Sequence, residues 1–300
     1  MTRIALFLIT NFSVMIGLMI ILGFIMSIIG IKIKTVSLII FLAGVIGFSG
    51  AIISLLLSKT IAVRSVRGKY INQPKDEQES WIIKIIQNQA KHIGIAMPKV
   101  AIYNAVDMNA FATGASCNDS VIALSTGLLQ NMRKEQIEAV IAHEMSHIVN
   151  GDMVTMTLLQ GIVNTMVIFI SNVISQITSK LLFSNRKNNP EYSMVSSIII
   201  KILPLILGVL ASLITLWFSR KREFYADAGA AKIVGVEKMI GALERLKQSC
   251  QPKENNLVKA FFINGNTRKA LLLATRSELF KTHPSLQKRI EALRTKQYIK

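Results

Sequence analysis

The segment EAVIAHEMSHIVNGDM, Glu138–Met153, places two of the chain's four histidines one helical turn apart. On a helix, His143 and His147 project from one face, so both imidazoles can bind the same cation. Glu144 directly follows the first histidine and is placed to accept a proton from a water at the metal. This HExxH arrangement predicts zinc as a Lewis acid with a carboxylate general base. The competing interpretation, two ordinary surface histidines, is disfavoured by the apolar residues around the motif.

A catalytic zinc site needs a third protein ligand and an open fourth position. The longer metzincin pattern is excluded, because Asn150 and Met153 stand where that pattern requires Gly and His. The segment SRKREFYADAGA offers two carboxylates four residues apart on a predicted helix, Glu223 and Asp227. One of them can bind zinc while the other orients a ligand histidine. Taken alone, such a pair among Lys and Arg also fits a solvated helix face.

Four long apolar segments surround these motifs in a chain that is 51% hydrophobic: Ile4–Ile31, Val36–Leu57, Met153–Ile174 and Ser196–Phe218. Each is about 20 residues or longer, the length that crosses a hydrocarbon core as a helix. The first is too long for a typical signal-peptide core, so we expect it to be a retained anchor. The last two contain polar residues, and a buried core helix remains the alternative for both.

The third and fourth apolar segments bear on the choice of the third zinc ligand. His147 precedes the third segment by about 9 Å of helix, and Glu223 follows the fourth by about 7.5 Å. If the two segments form an antiparallel membrane hairpin, His147 and Glu223 lie on the same side of the membrane and at nearly the same distance from it. This geometry favours Glu223 as the third ligand.

The net charge of +18 invites comparison with nucleic-acid-binding proteins. The basic residues, however, lie mostly on one side of the predicted spans, with ten between Lys59 and Lys134 and eighteen from Arg220 onward. Four of them stand directly beside the second apolar segment: Lys59, Arg64, Arg67 and Lys69. This placement follows the positive-inside rule and suits anionic lipid, so we expect a membrane partner and no nucleic acid. Cys117 and Cys250 form neither a CxxC metal motif nor a disulfide framework, which fits a reducing compartment.

Four motifs together resemble the HtpX-type membrane zinc peptidases of peptidase family M48, which are related to the Ste24 CAAX proteases: HEMSHIVNGDMVTM, SRKREFYADAGA, NAFATG and THPSLQKRI. The resemblance covers essentially the whole chain. It implies that His143, His147 and Glu223 bind one zinc ion per chain and that Glu144 is the catalytic base. It also implies a multi-pass protein of the bacterial inner membrane whose cytoplasm-facing site cleaves misfolded or damaged membrane proteins under stress.

Two further sites follow from the resemblance. An edge strand formed by Asn109, Ala110, Phe111 and Ala112 would pair with an extended, unfolded substrate. Such binding depends little on the sequence of the substrate. The alternative is an interior strand with Asn109 in a turn. His283, before Pro284, has two interpretations: part of a helix start, or a side chain that stabilises the tetrahedral oxyanion.

The predicted fold class is α+β: a mostly helical integral membrane protein with four transmembrane helices and a zincin-like catalytic domain carrying a small β-sheet. Residues 1–58 would form a transmembrane pair and 153–218 a second hairpin, while 59–152 and 219–300 form the two halves of the catalytic domain. A helix is predicted over 134–150, with strands at PKVAIYN, NAFATG and SVIALSTG.

Two alternatives to this function remain at the level of sequence. In an intramembrane protease the HExxH motif would lie inside a span, but Arg133, Lys134 and Glu135 near the motif suit hydrocarbon poorly. In a non-catalytic membrane scaffold or chaperone the zinc would be structural and normally closed by four protein ligands, often cysteines. The sequence assigns no oligomeric state.

Overall fold

The computed structural model describes positions 20, 24, 27 and 28 and the ranges 33–183, 190–249 and 284–298. Most of the first apolar segment, the positions 184–189 between the last two apolar segments, Cys250 and His283 lie outside the described residues. The predictions that concern them therefore stay predictions.

Helices and strands alternate along the described chain. In order they are α1 (Ile33–Ser65), β1 (Lys69–Tyr70), α2 (Glu77–Ile93), β2 (Lys99–Tyr103), β3 (Ala110–Ser116), β4 (Asp119–Ser125), α3 (Thr126–Asn131), α4 (Lys134–Asn150), α5 (Asp152–Phe183), α6 (Pro190–Val234), α7 (Val236–Ser249) and α8 (Leu286–Arg294).

The chain divides into two compact units. The described residues within 1–54 and 155–215 form one, here called the helical unit, and those within 55–154 and 216–300 form the other, the mixed unit. The predicted domain boundaries, and the assignment of a membrane role to one unit and a catalytic role to the other, stay predictions.

Among the described residues, three helical stretches are long and apolar enough to cross a membrane: Leu42–Ser65, Asp152–Thr178 and Ile202–Val234. Large apolar side chains project from them, as Leu56 and Leu205 do with exposed fractions of 63% and 70%. Such exposure is costly in water and is compatible with lipid. The second, third and fourth predicted segments are thus confirmed as long apolar helices.

A four-stranded sheet in the mixed unit has the order β1-β2-β4-β3. Strand β2 pairs parallel to β4, while β1 and β3 form antiparallel pairs with β2 and β4. Strand β4 lies in the interior of the sheet and is buried along most of its length, and β3 is the last of the described strands on one side. A Cβ at Gly114 would lie 2.2 Å from the Asp119 carbonyl oxygen, so this β3 position requires glycine.

The three predicted strands are present, but the last is shorter than predicted. It ends at Ser125, and α3 begins at Thr126 where the sequence pattern continued the strand to Gly127. The Ser125 hydroxyl accepts a hydrogen bond from the Leu128 amide, which caps the new helix. Strand β1 was not predicted, because two residues carry no periodic pattern.

Helix α4 lies at the centre of the mixed unit, and its predicted range is confirmed. It packs against α2, β3, β4 and α7, and α8 packs against α7. Ile141, Met145 and Ile148 on α4 are fully buried in the apolar core. The HExxH helix is thus held on several sides by packed elements, which fixes the direction in which its polar face points.

Candidate metal centre

Helix α4 presents His143 and His147 one turn apart on the same face, with their Nε2 atoms 3.1 Å apart. The helix ends at Gly151, whose φ of 67° closes it in the left-handed conformation that glycine tolerates. Its amide donates to the carbonyl oxygens of His147 and Ile148. The turn therefore fixes the backbone directly after the second histidine.

Helix α6 brings Glu223 to the two imidazoles. Its Oε1 lies 3.5 Å from the Nε2 of His147, and its Oε2 lies 3.6 Å from the Nε2 of His143. One ligand atom from each residue can be chosen so that all three lie within 4.8 Å of one another. The three residues predicted to bind zinc are therefore adjacent, although Glu223 is far from the histidines in sequence.

The approach of α6 to α4 depends on Gly229. A Cβ at this position would lie 2.6 Å from the Ser146 Oγ and 2.9 Å from the Ser146 Cβ, well inside ordinary contact distance. A glycine on α6 thus lets the helix that carries Glu223 lie close against the helix that carries the histidines.

Each imidazole also contacts a carboxylate through its other nitrogen. The Nδ1 of His143 lies 2.9 Å from Asp227 Oδ1, and the Nδ1 of His147 lies 2.5 Å from Asp152 Oδ2. Since an ionised carboxylate only accepts hydrogen bonds, both Nδ1 atoms are donors in these pairs. The sequence pattern pointed to Asp227 as an orienting group, but Asp152 was not predicted.

Both carboxylates are themselves paired with arginines. Arg289 on α8 donates to the two oxygens of Asp227 at 2.7 and 2.6 Å, and Arg222 contacts Asp152. Arg289 also lies 2.9 Å from Glu223 Oε2. Neither arginine was predicted as a site residue.

Arg289 is only 6% exposed, so the charges beside it decide its protonation state. Burial by itself lowers the pKa of the guanidinium, but the Asp227 and Glu223 carboxylates outweigh that effect and hold the pKa above its usual value. Arg289 therefore stays charged and bridges two carboxylates of α6.

The donor set fits a zinc ion. With both Nδ1 atoms donating to carboxylates, the lone pairs of both Nε2 atoms point into the space shared with Glu223. The two Nε2 atoms are 3.1 Å apart, and the Glu223 oxygens lie 3.5 and 3.6 Å from them. Such an arrangement is repulsive without a cation, and two imidazoles with one carboxylate are typical zinc ligands. In the described parts of the chain the cluster contains three ligand residues, which matches the pattern of catalytic rather than closed structural sites.

Glu144 adjoins the first histidine on α4, and only 9% of it is exposed. Its charge contributes to raising the pKa of Arg289, so the two groups share one electrostatic environment. Glu144 is thus a largely buried carboxylate that interacts with the same arginine as Asp227 and Glu223. Its catalytic role stays a prediction.

Strand β3, which packs against α4, contains three of the four residues predicted to bind substrate. Asn109 precedes it and is hydrogen-bonded to β4: its carbonyl accepts from the Ser125 amide at 3.0 Å. In an antiparallel pair, the backbone groups of alternate residues point to the partner strand. The N–H and C=O groups of Phe111 therefore also face β4, whereas those of Ala110 and Ala112 point away from β4. Those two residues offer backbone groups at the sheet edge, and substrate binding there stays a prediction.

Comparison with known proteins places this cluster in context. The profile described as peptidase family M48 matches residues 76–297. Protease HtpX of Yersinia pestis (strain Pestoides F) is 53% identical over 303 residues, and the alignment covers the full length of both chains. Protease HtpX of Yersinia pseudotuberculosis serotype O:1b (strain IP 31758) shows the same identity and coverage.

The fold is similar to that in the crystal structure of S. mikatae Ste24p, with a TM-score of 0.62 and 17% sequence identity. The match covers 95% of this chain and 64% of that one, so the chain spans less than two thirds of the Ste24p length. The profile match covers most of the chain, and the full-length identity to proteases far exceeds chance. The chain therefore belongs to peptidase family M48 and is a metalloendopeptidase.

Proposed function

We propose that this chain is a zinc-dependent endopeptidase of the bacterial inner membrane that cleaves misfolded or damaged membrane proteins during stress-related quality control. The observation that carries the proposal is the convergence of ligand atoms of His143, His147 and Glu223 within 4.8 Å of one another. Glu144 directly follows His143 on the same helix. Identity to the two Yersinia proteases supports the proteolytic activity, and the three long apolar helices support a lipid environment.

His143, His147 and Glu223 would hold the metal. A zinc ion held there would act as a Lewis acid that polarises the scissile carbonyl and lowers the pKa of the attacking water. Glu144 accepts a proton from that water as its oxygen adds to the carbonyl carbon. Glu144 then returns the proton to the amide nitrogen as the C–N bond breaks, leaving a carboxylic acid and an amine.

The outward backbone groups of Ala110 and Ala112 would hold the substrate as an added strand. Main-chain hydrogen bonds provide this affinity whatever the side chains are, so the arrangement suits a protease that acts on many unfolded segments. The packing of β3 against α4 supports this assignment, because it brings the proposed strand next to the helix with the histidines.

The placement of the basic residues supports a cytoplasmic active site. Arg64 lies in the last turn of α1, at the end of the apolar stretch Leu42–Ser65, and Arg67 and Lys69 follow that stretch. Positive residues immediately beside a span favour the cytoplasmic side. His283 remains a proposed oxyanion stabiliser, outside the described residues.

The intramembrane alternative loses support because α4 belongs to the core of the mixed unit and is not among the three described stretches that could span a membrane. The structural-zinc alternative loses support because three ligand residues cluster in the described chain and a closed site needs four.

The decisive experiment compares Glu144→Gln with Glu138→Gln in the full chain purified in detergent. Glu138 lies on the same helix but pairs with Lys238 at the surface, so its substitution is a matched control. We expect Glu144→Gln to retain one zinc ion per chain and to lose cleavage of an unfolded protein by a factor of about 10²–10⁴. Metal-dependent cleavage at the wild-type rate by Glu144→Gln would refute the proposed base.

A further inference from the structure

Asp152 lies directly beside the metal cluster, in contact with the second histidine. It is the first residue of α5 and follows Gly151, whose left-handed backbone turns the chain back towards the end of α4. This turn places Asp152 Oδ2 2.5 Å from the Nδ1 of His147, five residues earlier. The carboxylate therefore contacts the side of the imidazole that faces away from Glu223.

Arg222 completes this contact from a second helix. It lies on α6 directly before Glu223, and its guanidinium contacts Asp152 Oδ1. Only 11% of each of the two side chains is exposed, so their charges are largely shielded from water. Asp152 thus lies between a guanidinium, which can only donate hydrogen bonds, and the Nδ1 of His147. With the carboxylate accepting from both sides, the proton of a neutral His147 resides on Nδ1.

We propose that Asp152 and Arg222 are a positioning pair for the metal site: Asp152 selects the Nδ1–H tautomer of His147, and Arg222 holds Asp152 in place from the helix of Glu223. The Nε2 lone pair of His147 is thereby directed at the metal before any ion arrives. This inference rests on the proposed function, because it assumes that His147 is a zinc ligand.

The pair has a second consequence for the site. Asp152 is tied to α4 through the Gly151 turn, whereas Arg222 is tied to Glu223 through the backbone of α6. Their ion pair therefore links the helix with two ligands to the helix with the third. Asp227 and Arg289 make the corresponding arrangement on His143, so each histidine has its own carboxylate and each carboxylate its own arginine. Removing a group that orients a metal ligand in this way typically weakens metal affinity 10- to 100-fold.

The test measures zinc affinity of the full chain in detergent by competition with a chromophoric chelator. We expect Asp152→Asn to weaken zinc binding about 10- to 100-fold and Arg222→Gln to weaken it in the same direction. Arg222→Lys, which keeps the charge, should recover most of the affinity lost in Arg222→Gln. Asp119→Asn is the matched control, since it removes an exposed carboxylate paired with Lys59 and should leave affinity unchanged.

A spectroscopic measurement separates positioning from a general loss of structure. The chain has four histidines, so nitrogen NMR of a histidine-labelled sample gives few resonances, which single substitutions assign. In the zinc-free wild type, at a pH where the imidazoles are neutral, we expect His147 in the Nδ1–H form. Asp152→Asn should populate the Nε2–H form, because an amide can also donate to Nδ1.

The His147→Ala variant distinguishes two kinds of failure. If it loses zinc while Asp152→Asn and Arg222→Gln bind zinc as tightly as the wild type, the positioning inference is wrong and the proposed metal site stands. If His147→Ala also keeps wild-type affinity, the metal site itself is wrong and the inference fails with it. Should Asp152→Asn not fold, as judged by circular dichroism, Arg222→Gln decides the matter, since it leaves the carboxylate intact and unchanged affinity overturns the inference.

Discussion

The close contact between α6 and α4 makes Gly229→Ala a sensitive test of how the metal site is assembled. The new Cβ would lie 2.6 Å from the Ser146 Oγ and 2.9 Å from its Cβ, where ordinary contact begins at 3.4 Å. The Ser146 Cβ is attached rigidly to α4 and cannot rotate away. The two helices must therefore separate by about half an ångström, because packed interiors have no free volume to absorb a methyl group.

The free-energy cost follows from two opposing effects. Overpacking of this kind destabilises by about 1–3 kcal/mol, whereas replacing a helical glycine by alanine stabilises by about 1 kcal/mol. Gly241→Ala on α7 isolates the second effect, because a Cβ there meets nothing within 4 Å. We expect Gly241→Ala to stabilise the protein and the two variants to differ by about 1–3 kcal/mol.

The assay is unfolding in detergent micelles followed by tryptophan fluorescence, together with zinc affinity. Movement of α6 carries Glu223 away from the histidines, so Gly229→Ala should weaken zinc binding by roughly tenfold, whereas Gly241→Ala should not. Combining Gly229→Ala with Ser146→Ala removes the closest clash and should restore part of both losses. If Gly229→Ala were as stable as Gly241→Ala and bound zinc normally, the helix contact would not control the site.

The remaining predictions concern the buried arginine and the sheet edge. Arg289→Ala leaves the Asp227 carboxylate, 1% exposed, without its cation and should cost about 3–5 kcal/mol of unfolding free energy. Arg294→Ala removes only an exposed ion pair with Glu244 and should cost less than about 1 kcal/mol in the same unfolding assay; equal costs would contradict the proposed bridge. Ala112→Pro removes an outward N–H and should raise KM for an unfolded substrate roughly tenfold with zinc affinity unchanged, whereas Ala112→Ser keeps the N–H and should retain a near-normal KM. A normal KM in Ala112→Pro would exclude β3 from substrate binding.

Local sequence patterns predicted those parts of the site that depend on a single helix. The spacing of His143 and His147 follows from helical periodicity alone, and the observed range of α4 agrees with the predicted one. The four-residue spacing of Glu223 and Asp227 also predicted that one of them orients a ligand histidine. It did not say which histidine, and the structure places Asp227 against His143. Asp152 could have been found in the same way, because a carboxylate directly after a helix-ending glycine lies near the last turn of that helix.

The contributions from distant parts of the chain could not be predicted. Arg289 is 146 residues from His143. It lies in the THPSLQKRI motif, but neither its spacing nor its neighbours in the sequence assign it a role at the metal site. Its burial depends on how α8 packs against α7, which is a tertiary property. The apolar pattern likewise predicted a span ending at Phe218, but α6 continues without a break to Val234, because the charged residues that follow are good helix formers.

The central claim is that two imidazoles of α4 and one carboxylate of α6 bind a catalytic zinc ion. X-ray absorption at the zinc edge of the full-length protein tests it most directly. We predict two imidazole nitrogens at about 2.0–2.1 Å, oxygen ligands from Glu223 and solvent, and no sulfur near about 2.3 Å; Glu223→Ala should lose the carboxylate contribution. A sulfur ligand, a fourth protein ligand or an unchanged spectrum in Glu223→Ala would contradict the account.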